Sequence, residues 1–371
     1  MQRRDFLAAT VAAPAITALP QRAHATAPLD APYPPVLSAP SREIRTVVGH
    51  RPYRRSGFVL KREQVGRRTL VHNYGHGGCG VTLSWGCADL AVELAADARQ
   101  RRAAVIGAGA IGLTTAHRLL RAGYDVTVYA EALPPHTTSN IAAAFWQPTG
   151  LFSQSAVDED FLRQFRRAAR LSQRAFQHLA QDPAYGVFWF RFFRPFDEPR
   201  AGAPRPVFEG EDLYPGRRTV KGEDAPFGFG EAEQFNSMMI DPDRFLRALM
   251  RDIKVVGGKI VRRRFESADD IFSLKERLIF NCTGLGAGAL FDDTELTPVR
   301  GQLTMLLPQP EIDYGYVYQS PDGLLYMFPR RGAIVLGGTY EHGVSSTAIS
   351  EEDRLRMFTG HAALAERISG G

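Results

Sequence analysis

Cysteine is scarce in this 371-residue chain: Cys79, Cys87 and Cys282 are the only three, too few for a disulfide scaffold. Stability therefore has to come from buried apolar surface, and a 44% hydrophobic composition over this length allows a large core and two domains. Cys79 and Cys87 are able to pair after export, whereas Cys282 lies in an apolar strand pattern and reads as a buried free thiol. Metal-ligand spacing is lacking as well. His72, His76 and Cys79 fall in a glycine-rich run with no fourth ligand at a familiar distance, so no metal is predicted. No segment approaches eighteen uninterrupted apolar residues, which argues against stable membrane insertion of the mature chain. A strong charge of one sign is also missing. The net charge of +5 falls to +3 once residues 1–25 are removed, too little to argue for nucleic acid. The basic clusters 99–102 and 262–264 lack interleaved aromatics and read as solvated ends of strands.

What is present centres on residues 103–131. Residues 103–106 read as a buried strand ending in Ile106; Gly107, Gly109 and Gly112 then form a G-x-G-x-x-G turn into an amphipathic helix that includes Ala110 and Ile111. Gly123 stops the helix, and residues 125–129 make a second strand leading to Glu131, nineteen residues after Gly112. The parts suit a dinucleotide: a tight turn, backbone able to approach a pyrophosphate, a helix N-terminus with unpaired N–H groups, and a carboxylate for a ribose hydroxyl.

The chain begins with Arg3 and Arg4 before Phe6 and Leu7, continues through a short apolar stretch, and reaches Ala23, His24 and Ala25, a small-residue cleavage pattern. It resembles a twin-arginine signal and predicts a periplasmic or secreted protein. Residues 26–41, with prolines at 28, 32, 34, 35 and 40, read as a linker without a packing pattern. Short strands at 44–49 and 57–60 flank His50, Arg51, Pro52, Tyr53, Arg54 and Arg55. A third strand, 69–74, enters the glycine loop His76, Gly77, Gly78, Cys79, Gly80 and the helix 81–98 that starts at Val81 and Thr82. That loop is able either to cradle a ligand or simply to cap the helix. Thr137, Thr138 and Ser139 offer hydroxyls for phosphate, and Ala143, Ala144 and Phe145 let backbone lie against a flat ring. Helices are expected at 157–179, at 242–253 behind Asp241 and Pro242, and at 351–366. Strands are expected at 188–193, 259–261 and 278–282, the last followed by Thr283 and Gly284, with further β segments over 297–340.

Taken together, residues 103–148, the run from His72 to Gly78, Arg51 with Pro52, residues 281–284, 326–330 and 337–340 resemble the D-amino-acid oxidases. The resemblance implies bound FAD and oxidation of a D-amino acid, with oxygen as acceptor and ammonia, a 2-oxo acid and hydrogen peroxide as products. It implies that Arg51 pairs with the substrate carboxylate, that the Tyr326 hydroxyl touches the same carboxylate, and that the Gly78 carbonyl accepts from the amine. The chain departs from the family at three points. A second active-site tyrosine, expected just before Tyr326, has no clear match; Ala144 stands where glycine is usual; and Arg51 with the loop 72–80 precedes the βαβ unit instead of ending the chain. A circular permutation accounts for the last, and it predicts strand 44–48 beside helix 351–366, with Arg42 near Ile368.

The expected fold is α/β: a Rossmann-type FAD-binding domain with an α+β substrate domain on a mixed or antiparallel sheet. Its segments are the signal 1–25, linker 26–41, FAD-binding 42–150, substrate 151–240, FAD-binding 241–295, substrate 296–345 and a closing FAD-domain helix 346–371. A related flavin amine or glycine oxidase, a quinone-linked dehydrogenase and a non-catalytic flavin protein stay open, as does a homodimer.

Overall fold

The computed structural model describes residues 33–197, 213–221 and 228–369, so residues 1–25, read from the sequence as a signal, and part of the turn-rich stretch after residue 197 lie outside it. In chain order the strands are β1 (Glu43–Tyr53), β2 (Val59–Val65), β3 (Arg68–Tyr74), β4 (Arg102–Ile106), β5 (Asp125–Ala130), β6 (Val187–Phe196), β7 (Arg218–Lys221), β8 (Glu231–Ile240), β9 (Lys259–Arg262), β10 (Leu278–Asn281), β11 (Thr297–Leu306), β12 (Tyr314–Ser320), β13 (Gly323–Arg330), β14 (Ala333–Gly337) and β15 (Glu341–His342). The helices are α1 (Gly80–Leu94), α2 (Ala110–Arg121), α3 (Thr138–Ile141), α4 (Glu159–Leu179), α5 (Pro242–Val255), α6 (Ala268–Phe272), α7 (Gly286–Phe291) and α8 (Glu351–Ser369).

Two sheets result. The first has the order β2-β3-β10-β4-β5-β9, parallel except for the hairpin β2/β3 at its edge. Its central strands carry fully buried apolar residues on both faces, as a parallel sheet covered by helices requires. The second runs β1-β11-β14-β13-β12-β6-β8-β7, with β15 beside β11; only β12 and β6 are parallel. This is the expected Rossmann-type α/β fold with a mixed second sheet.

Local chemistry sets the helix starts. Asp241 accepts from the backbone N–H groups of Asp243 and Arg244 and caps α5, with Pro242 at the first position. Asp158 accepts from Phe161 N and caps α4, whose stripe of Leu162, Phe165, Ala169 and Phe176 is buried. All three cysteines are free and buried.

Three expectations need correction. The first strand does not end at Gly49: β1 runs on to Tyr53, paired antiparallel with β11 from Glu43↔Leu306 to Tyr53↔Thr297. The proline-rich stretch after residue 33 does pack: Val36 is buried in one apolar cluster with Phe229 and Leu364, and Ser38 Oγ donates to the Phe358 carbonyl. Strand β1 meets α8 only at its first residue, where Arg354 pairs with Glu43 at 2.6 Å; the helix itself packs on β11 and β13. Arg42 thus sits at the start of that helix. Ile368 is fourteen residues beyond Arg354, about 20 Å along the axis at 1.5 Å per residue. The stretch 33–42 runs back along α8 because its apolar side chains need that cover.

Candidate active site

The two sheets share a cavity of about 790 Å³. From the first sheet, the turn after β4 and the first turn of α2 line it with Ile106, Gly107, Gly109, Ala110 and Ile111. Gly107 has φ +115, and a Cβ there would lie 2.4 Å from the Cys282 carbonyl, so only glycine fits between β4 and β10. Gly112 does not reach the cavity. A Cβ on it would lie 2.0 Å from the Gly107 carbonyl, so its work is to let α2 close onto the turn. Thr82 is likewise withdrawn, buried with its hydroxyl toward the Phe145 carbonyl.

The remaining cofactor-loop residues named from the sequence do line the cavity: His76, Gly77, Gly78, Cys79, Gly80, Val81, Glu131, Thr137, Thr138, Ser139, Ala143, Ala144, Phe145, Thr283 and Gly284. Some of their polar atoms are engaged by the protein. Ser139 Oγ accepts from Ala110 N at 2.9 Å, which ties α3 to the start of α2, and Thr137 Oγ1 donates to Asn140 in a capping box. His76 is different. It is buried and stacked on Phe58, its Nε2 has no hydrogen-bond partner among the described residues, and burial pushes its pKa down to about 3. Cys79 is pushed up to about 12 by burial and points at the Thr149 carbonyl, so it is an inert thiol.

Glu131 is mostly exposed and pairs with Arg264 at 3.1 Å. The reading of 262–264 as solvated ends holds for Arg262 and Arg264, which are exposed, and is corrected for Arg263. Arg263 lines the cavity, pairs with Asp270 and lies over Phe265, while Arg262 donates to the Glu131 carbonyl. The acid and the bases meet because β5 and β9 are parallel neighbours.

The second sheet brings Arg51 and Tyr326 together. The Arg51 guanidinium lies flat against Gly301 of β11, where a Cβ would come within 2.5 Å of Nη1, and it donates to the Arg300 carbonyl at 3.3 Å. No carboxylate pairs with it among the described residues. Tyr326, on β13, packs over Gly337 of β14, with the Arg51 guanidinium near enough to act on its hydroxyl. Burial raises its pKa, with Arg51 opposing, so the phenol stays protonated at neutral pH. Gly78 is exposed to the cavity beside the Arg51 stem.

Two contributors lie in segments that carry the family resemblance, but the sequence alone assigns a role to neither. Tyr340 covers the Arg51 guanidinium at 5.0 Å and donates to the Gly150 carbonyl at 3.1 Å, which supplies a second phenol from the segment after β14. Arg330 is buried and donates to the carbonyls of Ala142 and Ala143, bracing the segment in which Ala144 takes φ +58. That left-handed φ explains why glycine is the easier residue at position 144.

The family model for FAD-dependent oxidoreductases matches residues 5–94 and 102–366, nearly the whole chain. The chain belongs to this family. Among curated proteins, a D-amino-acid oxidase of Rubrobacter xylanophilus is 30% identical over 270 residues, 72% of this chain and 78% of that protein. A D-amino-acid oxidase of Dictyostelium discoideum is 27% identical over 71% of this chain and 73% of its own length. Among solved structures, glycine oxidase from Geobacillus kaustophilus superposes with a TM-score of 0.53 at 15% identity, covering 72% of this chain and 80% of that one. Membership in the FAD-dependent oxidoreductases makes the protein a flavoenzyme. The cavity suits FAD: the glycine turn and the α2 N-terminus are able to take the pyrophosphate, Glu131 a ribose, and His76, whose buried Nε2 has no partner among the described residues, lines the same space.

Proposed function

We propose that the protein oxidises a D-amino acid to the imino acid, which water converts to a 2-oxo acid and ammonia, while oxygen takes up two electrons and two protons as hydrogen peroxide. The observation that carries this reading is Arg51: a cation held flat in the cavity by carbonyls and an aromatic ring, with a protonated phenol beside it and no acid paired to it among the described residues. A guanidinium and a phenol donor converging on one point suit a carboxylate. Gly78, whose carbonyl is able to accept from the α-amine, stands next to them. Two fixed substituents leave the Cα hydrogen with one direction. When bound, FAD supplies the two-electron acceptor, so the protein's task is to bind, orient and exclude water. Glycine oxidase chemistry would use the same carboxylate and amine contacts, and the similarity of fold supports no choice between them.

We further propose that the chain is a circular permutation of the family order. The family match breaks between residues 94 and 102, at the joint of α1 and β4, and Arg51 and the loop 76–80 line the same cavity as the βαβ turn. The stretch 33–42, lying along α8, is long enough to bridge the ends, since extended chain covers about 3.3 Å per residue. Arg3, Arg4 and the 23–25 cleavage pattern support export to the periplasm or beyond.

Anaerobic mixing of the flavin-loaded protein with D- and L-amino acids tests the main reading. Bleaching by D-enantiomers alone is expected, with peroxide appearing once oxygen is admitted. Equal bleaching by L-enantiomers would refute the stereochemical assignment, and turnover without peroxide would refute oxygen as acceptor.

A further inference from the structure

The register of the second sheet sets a row of residues side by side: Val47 of β1, Leu303 of β11, Gly337 of β14, Tyr326 of β13 and Val317 of β12. Strand β6 runs parallel to β12 with Tyr316 opposite Phe193, so Arg194 comes next to Val317 and ends the row. Neighbouring strands are about 4.8 Å apart, which puts Arg194 about 10 Å from Tyr326. Leu303, Tyr326, Val317 and Arg194 all face the cavity. Arg51 stands on the other flank of Tyr326, against Gly301. A ligand whose carboxylate lies between Arg51 and Tyr326 therefore has its remaining length directed over Val317 toward Arg194.

Arg194 is held in place at that end. Its Nη1 donates to Glu233 Oε2 at 2.9 Å and its Nη2 to Gln147 Oε1 at 3.3 Å, while Glu233 Oε1 accepts from Arg217 Nε at 2.7 Å. Gln147 lines the cavity too. Glu233 thus accepts from two guanidiniums, and the Arg194 group at the cavity carries donors and no acceptor.

We propose that Arg194 and Gln147 form the subsite for the substrate side chain and that it selects D-amino acids with an acidic side chain. The proposal rests on the orientation of the α-carboxylate at Arg51 proposed above. A side-chain carboxylate arriving along the row gains a charge-assisted bond from a donor already oriented by its ion pair. An ammonium side chain meets a like charge in a poorly hydrated space, and an aliphatic one strips water from the guanidinium and returns nothing.

The test uses the flavin-loaded full chain and anaerobic flavin reduction by D-glutamate, D-aspartate, D-leucine and D-lysine, for the parent, Arg194→Met and Arg194→Lys. In the parent, one of the acidic substrates is expected to exceed D-leucine at least tenfold in reduction rate over Kd, with D-lysine slowest. Arg194→Met should lose tenfold or more on the acidic substrate and stay within threefold on D-leucine; Arg194→Lys should recover part of the loss. A parent that prefers D-leucine or D-lysine overturns the proposal even if Arg194→Met fails to fold. An equal loss on all substrates in a folded, flavin-saturated Arg194→Met overturns it as well, since that is the mark of a purely structural ion pair. If D-leucine reduces the flavin and the acidic substrates do not, only the side-chain assignment falls. If no D-amino acid reduces it, the reading of Arg51 falls too.

Discussion

The two sheets meet at one cavity but contribute to it in different ways. The parallel sheet offers runs of chain, 106–111, 137–145 and 76–81, largely through backbone and small residues. The mixed sheet offers single side chains from separate strands, Arg51, Tyr326 and Arg194, each placed by register. A wall of backbone depends on glycines that permit close approach, so it fails when a Cβ is added. A wall of side chains depends on functional groups, so it fails when one is removed while the fold survives.

That contrast is sharpest at Arg51. Under the proposed function, Arg51→Ala removes a charge-assisted, bidentate contact worth about 3 to 5 kcal/mol, so kcat/KM should fall about a hundredfold or more with FAD retained. Arg51→Lys should fall between the parent and Ala, because the charge survives and the fork does not. Near-parental flavin reduction in Arg51→Ala would move the substrate site elsewhere. Gly112→Ala makes the opposite case. Its Cβ meets the Gly107 carbonyl at 2.0 Å, which only a backbone shift relieves, at a cost of about 1 to 3 kcal/mol. Thermal stability and FAD retention should drop together, and a variant that lost activity alone would break the distinction between the two walls.

Acid sensitivity reaches both regions. His76 beside the glycine loop and His361 under the mixed sheet, where its Nδ1 and the Tyr316 hydroxyl share a hydrogen bond at 2.6 Å, are each lowered to about 3 by burial from an ordinary value of 6.5. Between those values the unfolded chain binds more protons than the folded one. Their contribution is therefore whole above about pH 6.5 and declines as pH falls, by up to about 1.4 kcal/mol per pH unit for each. Urea unfolding from pH 7.5 to 5 should show this slope, and His361→Gln should reduce it. An unchanged slope would mean that His361 is not buried as a neutral ring.

The smallest effect concerns Tyr340. Its ring over Arg51 contributes about 0.5 to 1 kcal/mol, so Tyr340→Leu should raise KM about twofold to fivefold with kcat little changed. Tyr340→Phe keeps the ring and loses only the bond to Gly150, and should raise KM less than Leu does. Equal KM values for the two variants would show that the hydroxyl, not the ring, carries the effect.

Much of the parallel sheet was legible because its determinants act within a few residues of one another. The G-x-G-x-x-G turn joins a strand to the helix that follows it, Asp241 caps the helix it precedes, and the apolar runs of β4 and β10 declare burial on both faces. Glu131 was placed at the cavity by the same short reach, though its pairing with Arg264 depends on β9, some 130 residues on. The family resemblance named Arg51 and Tyr326, yet nothing local in residues 50–55 foretold a strand. Antiparallel pairing with β11, nearly 250 residues away, carries β1 past Gly49 to Tyr53. Composition and spacing determined the class of fold, the dinucleotide turn and the buried thiol of Cys282, while the structure showed Cys79 and Cys87 to be free and buried as well. Only the tertiary structure decided that Tyr340 covers Arg51, that Arg263 turns inward, that the proline-rich stretch packs along α8 and that Arg194 shares a row with Tyr326. Those outcomes depend on strand register and on contacts between distant segments, and such contacts form only when the whole chain has folded.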